Sequence, residues 1–359
     1  MTKEELGGKI SNLKISRGKK SEALIEGEIT VETMRPYAEA VVKEAGKDFE
    51  MPGFRKGQVP ENILRQNLNM AHVWSDAAHD ALGDLYPEIL ELHELAVISS
   101  PRVTFTKLAP ENPLGFQIEI GLMPEFKLPD YKKIGKKAAE TKKIAETTEA
   151  EIEETIAYIK KSREKSQQDK ELTDENIKEF GDFKNLAEFR ARIKENLLHE
   201  KEMDASRAIR EQIAKDLAEA TKIELPEIVV EEELQIMRKD RAAELDRLKM
   251  STEDYLKQLN KTAQELEKQE LEYVERQLKT RLILGKIAEE EKIVPEEKEV
   301  EQNSEYLMRR HPESDPEQVY HYVVNMLTNE LVLELLEGKK KDTQAQEKTG
   351  KPKDKPEEK

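Results

Sequence analysis

The sequence predicts a multidomain α+β protein, with a small antiparallel sheet and helices at the N-terminus and an all-α remainder built from long antiparallel helical arms. Three observations carry this. The chain has 359 residues but is 38% charged, 36% hydrophobic and only 5% aromatic, too little apolar matter for one large globule and better matched to long, thin helical parts. Period-two alternation is confined to the first 125 or so residues. From Asn185 onward apolar residues recur at spacings of three and four almost without a break.

Taken in order, Leu24 to Val31 alternates through Ile25, Gly27, Ile29 and Val31, and Phe116 to Leu122 does so through Phe116, Ile118, Ile120 and Leu122. Both read as half-buried strands, with Lys9 to Ile15 and Arg102 to Leu108 as antiparallel partners. Helices are expected from about Glu32 to Phe49, after Pro60, and from about Ala71 to Leu95, where Trp74 is expected to be buried. Residues 1–125 are thus one α/β domain. Residues 126–147, opened by Met123-Pro124-Glu125-Phe126-Lys127-Leu128-Pro129 and continued by the lysine-rich run Lys132 to Lys143, read as a linker.

The helical domain is expected over 148–338. Thr148 and Glu151 can form a capping box for a helix to about Lys165, and Asn185 with Glu188 one for a long helix striped by Leu186, Phe189, Ile193 and Leu197. Pro226 opens another helix, Thr262 and Glu265 cap a third, and Pro295 and Pro316 begin the last two. Met250 to Lys261 reads as a link between long helices. The tail at 339–359 is charged, contains proline and is expected to be disordered.

Candidate chemistry is sparse. The chain has no cysteine, so disulfides, thiol nucleophiles and thiolate metal sites are excluded together. The six histidines, His72, His79, His93, His199, His311 and His321, make no pair with ligand spacing; no metal, cofactor or catalytic residue is expected. No Gly-rich phosphate loop occurs, which argues against ATP-driven cycling. The start lacks the apolar run of a signal peptide and no stretch has 18 consecutive apolar residues, so the expectation is a cytoplasmic protein without a membrane partner. A net charge of −16 opposes general nucleic-acid binding and confines any RNA contact to a local site.

Met51 to Pro60 is the exception. In Met-Pro-Gly-Phe-Arg-Lys-Gly-Gln-Val-Pro, two prolines and two glycines fix a tight loop, and between them an aromatic ring is followed by two cations. That combination suits docking: an apolar anchor with charge-assisted hydrogen bonds for acidic groups. A plain turn whose Phe54 packs back under the loop is the alternative. For apolar contacts with a flexible polypeptide, Tyr306, Leu307, Val319, Tyr320, Tyr322 and Val323 are the candidates, because amphipathic aromatics tolerate exposure. Packing as ordinary core between helices is the competing reading for them, as for Met237, Met250 and Met326.

The segment Gly53-Phe54-Arg55-Lys56-Gly57-Gln58-Val59-Pro60 resembles the signature of trigger factor, the bacterial ribosome-associated chaperone family, whose pattern is Gly-Phe-Arg-x-Gly-Lys-x-Pro. Gln58 departs from it, standing where the family usually has Lys. The resemblance implies an N-terminal ribosome-binding domain, with Gly53, Phe54, Arg55, Lys56, Gly57, Gln58 and Pro60 docking on a protein at the exit tunnel. Local rRNA contact and a homodimer off the ribosome are left open. It further implies an ATP-independent helical cradle for nascent and unfolded polypeptides. Members of the family insert an FKBP-type peptidyl-prolyl isomerase domain before a segment like Glu171-Leu172-Thr173-Asp174-Glu175. Here there is no room near 165–170, so that domain and its activity are expected to be absent. Isomerase activity, or a ribosome-independent helical holdase or scaffold, are the alternative functions.

Overall fold

The computed structural model describes residues 2–140, 146–161, 173–174 and 177–338. The stretch near 165–170, where the isomerase domain was judged missing, and the tail at 339–359 lie outside the described residues. The chain divides into two compact units, residues 1–126 with 222–279, and residues 127–221 with 280–359.

In the first unit, α1 (Lys3–Lys9) leads into β1 (Ile10–Arg17) and β2 (Glu22–Ile29); then come α2 (Val31–Asp48), α3 (Glu61–Asn67), α4 (Met70–Leu92), β3 (Arg102–Lys107) and β4 (Leu114–Gly121). The four strands form one antiparallel sheet in the order β1-β2-β4-β3. The two strands with the clearest alternation, β2 and β4, are central and pair in the register Ile25↔Ile118. Ile25, Ile29, Ile118 and Ile120 are buried in one core with Met34, Ala38 and Val42, which form one face of α2 at four-residue spacing. α4 packs beside it through Trp74, Ala77, Ala78, Ala81 and Leu85; the small alanines let the backbones approach closely. Trp74 is buried, as expected.

The same unit contains α8 (Glu227–Arg247), α9 (Thr252–Leu259) and the first part of α10 (Ala263–Glu291). Gly121 explains how α8 joins the sheet. A Cβ there would lie 2.8 Å from Val229 and 3.0 Å from Pro226, so the apolar run Ile228-Val229-Val230 packs directly on the end of β4. Polar contacts rim the patch: Lys20 Nζ lies 2.5 Å from Glu227 Oε1, Arg102 3.0 Å from Glu231, and the Glu227 N–H donates to Glu22 Oε1 at 2.8 Å. Periodicity alone grouped 222–279 with the other helices of 148–338. The contact made by Gly121 is long-range and carries no local signal. The expected link at 250–261 is itself mostly helix, capped by Ser251 and ended by Asn260 in the left-handed region at φ 51°.

The second unit holds α5 (Tyr131–Glu140), α6 (Glu149–Lys161), a short 3₁₀ turn (Ile177–Phe180), α7 (Leu186–Ala220), the end of α10, α11 (Glu297–Arg310) and α12 (Pro316–Leu336). α5 corrects the expected linker at 126–147. Tyr131, Gly135 and Ala138 are buried, and a Cβ on Gly135 would meet the Leu336 carbonyl oxygen at 2.5 Å, so the helix packs its bare backbone against the end of α12. The lysines that suggested a solvated linker occupy its other side. α6 is capped as expected: the Thr148 N–H donates to Glu151 Oε2 at 2.8 Å and the Glu151 N–H to Thr148 Oγ1 at 3.4 Å. Ile152 and Ile156 of α6 form a small core with Ile177, Phe189 and Ile193.

Candidate functional site

The loop joining α2 to α3 is held from within. The Phe54 N–H donates to the Met51 carbonyl at 3.1 Å, the Gln58 N–H to the Arg55 carbonyl at 2.9 Å, and the Gly57 N–H to the Phe49 carbonyl at 3.3 Å. Both glycines occupy the left-handed region, Gly53 at φ 92° and Gly57 at φ 73°. Their surroundings differ. A Cβ on Gly53 would meet nothing within 4 Å, whereas one on Gly57 would lie 2.8 Å from the Lys47 carbonyl oxygen. Gly57 is therefore where the loop seats on the last turn of α2. Below it, Gly46 lets Leu64 of α3 approach α2, and Leu64 is buried.

This frame turns Phe54 outward. Phe54 is 39% exposed, so part of the ring is open to solvent. Lys56 Nζ lies 3.0 Å from Asp48 Oδ1, while Arg55 has no ion-pair partner among the described residues. Gln58 and Pro60 are exposed beside them. The loop thus offers one ring, one free guanidinium and one ammonium shared with the protein's own carboxylate. Asp48 was not singled out from the sequence; its position eight residues before Lys56 gives no motif, and only the turn of the chain brings the two together.

The candidate apolar residues divide. Val323 is fully buried and Val319, four residues before it on α12, is half-buried, which removes Val323 from any contact surface. Tyr322 and Met326, four residues apart, flank that buried side at 62% and 39% exposure. Tyr320 is 42% exposed and Leu307 half-buried. Tyr306 is 56% exposed and is held by Arg310, whose guanidinium lies 5.6 Å from the ring centre and donates to the Tyr306 hydroxyl at 3.1 Å. In the first unit, a cleft of about 360 Å³ is lined by Met237, Tyr273 and Arg276 with Gln269, Glu270 and Glu272. Tyr273 is exposed there and was missed in the sequence because it stands alone in a charged helix. Glu270, nearly buried, is neutralised by Arg238 and Arg241.

Among the described residues no group of three His, Asp or Glu side chains could hold a metal ion, and no helix is long and apolar enough to cross a membrane.

A small antiparallel sheet with covering helices in one unit, long helices in both, and a loop that carries a partly exposed ring beside two cations define an α+β helical protein with a candidate contact loop. Two profiles described as bacterial trigger factor protein and its C-terminus match residues 11–159 and 185–343. The trigger factor of Moorella thermoacetica is 22% identical over 385 aligned positions, covering 81% of this chain and 85% of that protein. That of Clostridium botulinum is 21% identical, covering 91% and 97%. A solved trigger factor chaperone, described by its promiscuous substrate recognition in folding and assembly activities, superposes with a TM-score of 0.50 at 16% identity, over 91% of this chain and 99% of that one. The chain belongs to the trigger factor family and is a protein-folding chaperone. It lacks the isomerase domain: only residues 160–184 separate the two matches, and the 385 aligned positions exceed this chain's 359 residues, so the relative carries sequence with no counterpart here.

Proposed function

We propose that this chaperone docks beside the ribosomal exit tunnel through Phe54, Arg55 and Lys56, within the domain of residues 1–125, and holds emerging polypeptides without ATP. The observation that carries the reading is an outward Phe54 on a loop buttressed by Gly57, next to a guanidinium with no partner of its own. An exposed ring is unfavourable in water unless a partner covers it, and hot spots of this kind pair an aromatic with Arg. Gln58 removes one cation of the family pattern, so the attraction rests on two charges.

Held polypeptides contact exposed aromatics, Tyr306, Tyr320 and Tyr322, with Met326 and the Met237–Tyr273 cleft as further apolar surface. Burying three or four client side chains yields roughly 1.5–3 kcal/mol each, less association and ordering costs, which leaves binding at the micromolar level or weaker. A client held that loosely can leave and fold. In this reading the protein is cytoplasmic and has no isomerase activity, and local rRNA contact accompanies the protein contact.

Co-sedimentation with ribosomes tests the docking. The intact chain is expected to pellet with ribosomes and the Phe54→Ala/Arg55→Ala/Lys56→Ala variant to stay in the supernatant; equal pelleting would leave a ribosome-independent holdase. A proline-limited refolding assay tests the rest, with no acceleration expected, and acceleration would reinstate the isomerase reading.

A further inference from the structure

From the geometry of α5 we infer that its lysine face is a contact for the phosphate backbone of double-helical RNA. Four of the ten residues from Tyr131 to Glu140 are lysines, in a chain of net charge −16. At about 100° per residue, Lys132, Lys133, Lys136 and Lys137 fall within an arc of roughly 140°, opposite Tyr131, Ile134, Gly135 and Ala138. The burial agrees: Tyr131, Gly135 and Ala138 are buried, Ile134 is half-buried and all four lysines are exposed.

The helix cannot roll to hide them. Gly135 is wedged against the Leu336 carbonyl, and the Tyr131 hydroxyl donates to Glu291 Oε1 at 2.7 Å. Glu291 also takes Lys132 at 2.7 Å, which occupies that lysine. Lys133, Lys136 and Lys137 have no ion-pair partner among the described residues, and Glu140 is the one acid of α5 on their side. Three free ammonium groups on a fixed helix therefore form a local positive strip.

Its composition selects the partner. Tyr131 and Ile134, the large apolar residues of α5, lie away from the lysines, so the face has nothing to insert into a bilayer surface. It has no aromatic ring for stacking unpaired bases, and no Arg for bidentate recognition of a carboxylate or a base. Lysines alone act as point charges on regularly spaced phosphates, a contact that is indifferent to sequence. The inference rests on the docking reading for the source of the RNA, the ribosome, and not for its chemistry.

The test is fluorescence anisotropy of the full chain with an RNA duplex of about 16 base pairs, titrated with salt, against Lys133→Gln/Lys136→Gln/Lys137→Gln. The intact chain is expected to bind at low salt, and the variant about tenfold or more weaker, with a log–log salt slope smaller by about two to three for three lost phosphate contacts. The Phe54→Ala/Arg55→Ala/Lys56→Ala variant should still bind the duplex through α5 while losing ribosome pelleting, so failure of one reading is separable from failure of the other. Should the triple Gln chain melt early, Lys133→Gln/Lys137→Gln is used, with a slope change of about two expected. Absence of duplex binding by the intact chain, an unchanged slope in the variant, or lysine-dependent binding to phosphatidylserine vesicles or polyglutamate in place of RNA would each overturn the inference.

Discussion

At the scale of single residues, the two loop glycines separate two causes that sequence alone runs together. Both have positive φ, but only Gly57 is also in contact with backbone. Gly53→Ala should cost about 1 kcal/mol from conformation alone. Gly57→Ala adds a collision with the Lys47 carbonyl, which as backbone cannot swing away, and about 1–3 kcal/mol is expected. Thermal melting gives the order, and ribosome pelleting should fall more for Gly57→Ala, because that change tips the loop bearing Phe54. Equal effects would mean that the seat on α2 is passive. The loop's composition was readable in advance; the Lys56–Asp48 ion pair was not, because a salt bridge across a turn leaves no spacing rule in the chain.

At the scale of elements, hydrophobic period was a good guide to what forms and a poor one to what it joins. The alternation in β2 and β4 and the Thr148–Glu151 and Thr262–Glu265 capping boxes appear in place; Pro316 is the first residue of its helix, whereas Pro60 and Pro226 stand at the cap position and Pro295 two residues before the helix. At α7 the reciprocal bond differs: Glu188 accepts from the Lys184 N–H, not from Asn185. The helix α5 was hidden because its charged residues dominate the count while Gly135, a weak helix former, makes the close contact. Two predictions belong here. Glu151 is held down to about 2 from an ordinary value of 4.5, chiefly by the Lys201 ammonium at 2.5 Å and further by Thr148. A depressed carboxylate stabilises the folded form above its ordinary value and loses that contribution as pH falls through the folded one. The attachment of α6 to α7 should therefore loosen between about pH 4.5 and 2, and Glu151→Gln should remove that part of the acid sensitivity, as read by hydrogen exchange of α6 amides. Between α7 and α12, Arg210 serves Glu330 at 2.6 Å and also Glu337, whose side chain is only 4% exposed. Arg210→Met removes the guanidinium from the largely buried Glu337, which keeps its hydrogen bond from Ser206, and about 1.5–3 kcal/mol should be lost in urea unfolding. Much of that should return in Arg210→Met/Glu337→Gln, which removes the buried charge that Arg210 offsets.

At the scale of the whole molecule, the proposed functions place charge and apolar surface on different residues, and salt should pull them apart. The chain carries 76 acidic against 60 basic Lys and Arg side chains, so its mean field repels RNA, and the proposed attraction to the ribosome is assigned to local cations, Arg55 and Lys56 on the loop and the free lysines of α5. Such contacts release counterions, and their affinity falls steeply as salt rises. On the proposed reading, holding of unfolded chains uses Tyr306, Tyr320, Tyr322 and Met326, neutral side chains whose burial is insensitive to screening. Raising potassium chloride from about 50 to 200 mM, a range over which six to ten phosphate contacts lose about 10³–10⁵ in affinity, should release much of the protein from ribosomes. Suppression of aggregation of an unfolded client, measured by light scattering in the same buffers without nucleotide, should stay within about twofold, since no charge pair is used. A parallel decline of both activities would mean that clients are gripped by charge, and the exposed tyrosines would then lose their assigned role. A steep fall in ribosome binding with holding unchanged would instead place the two functions on separate surfaces, linked by the chain and not by a shared site.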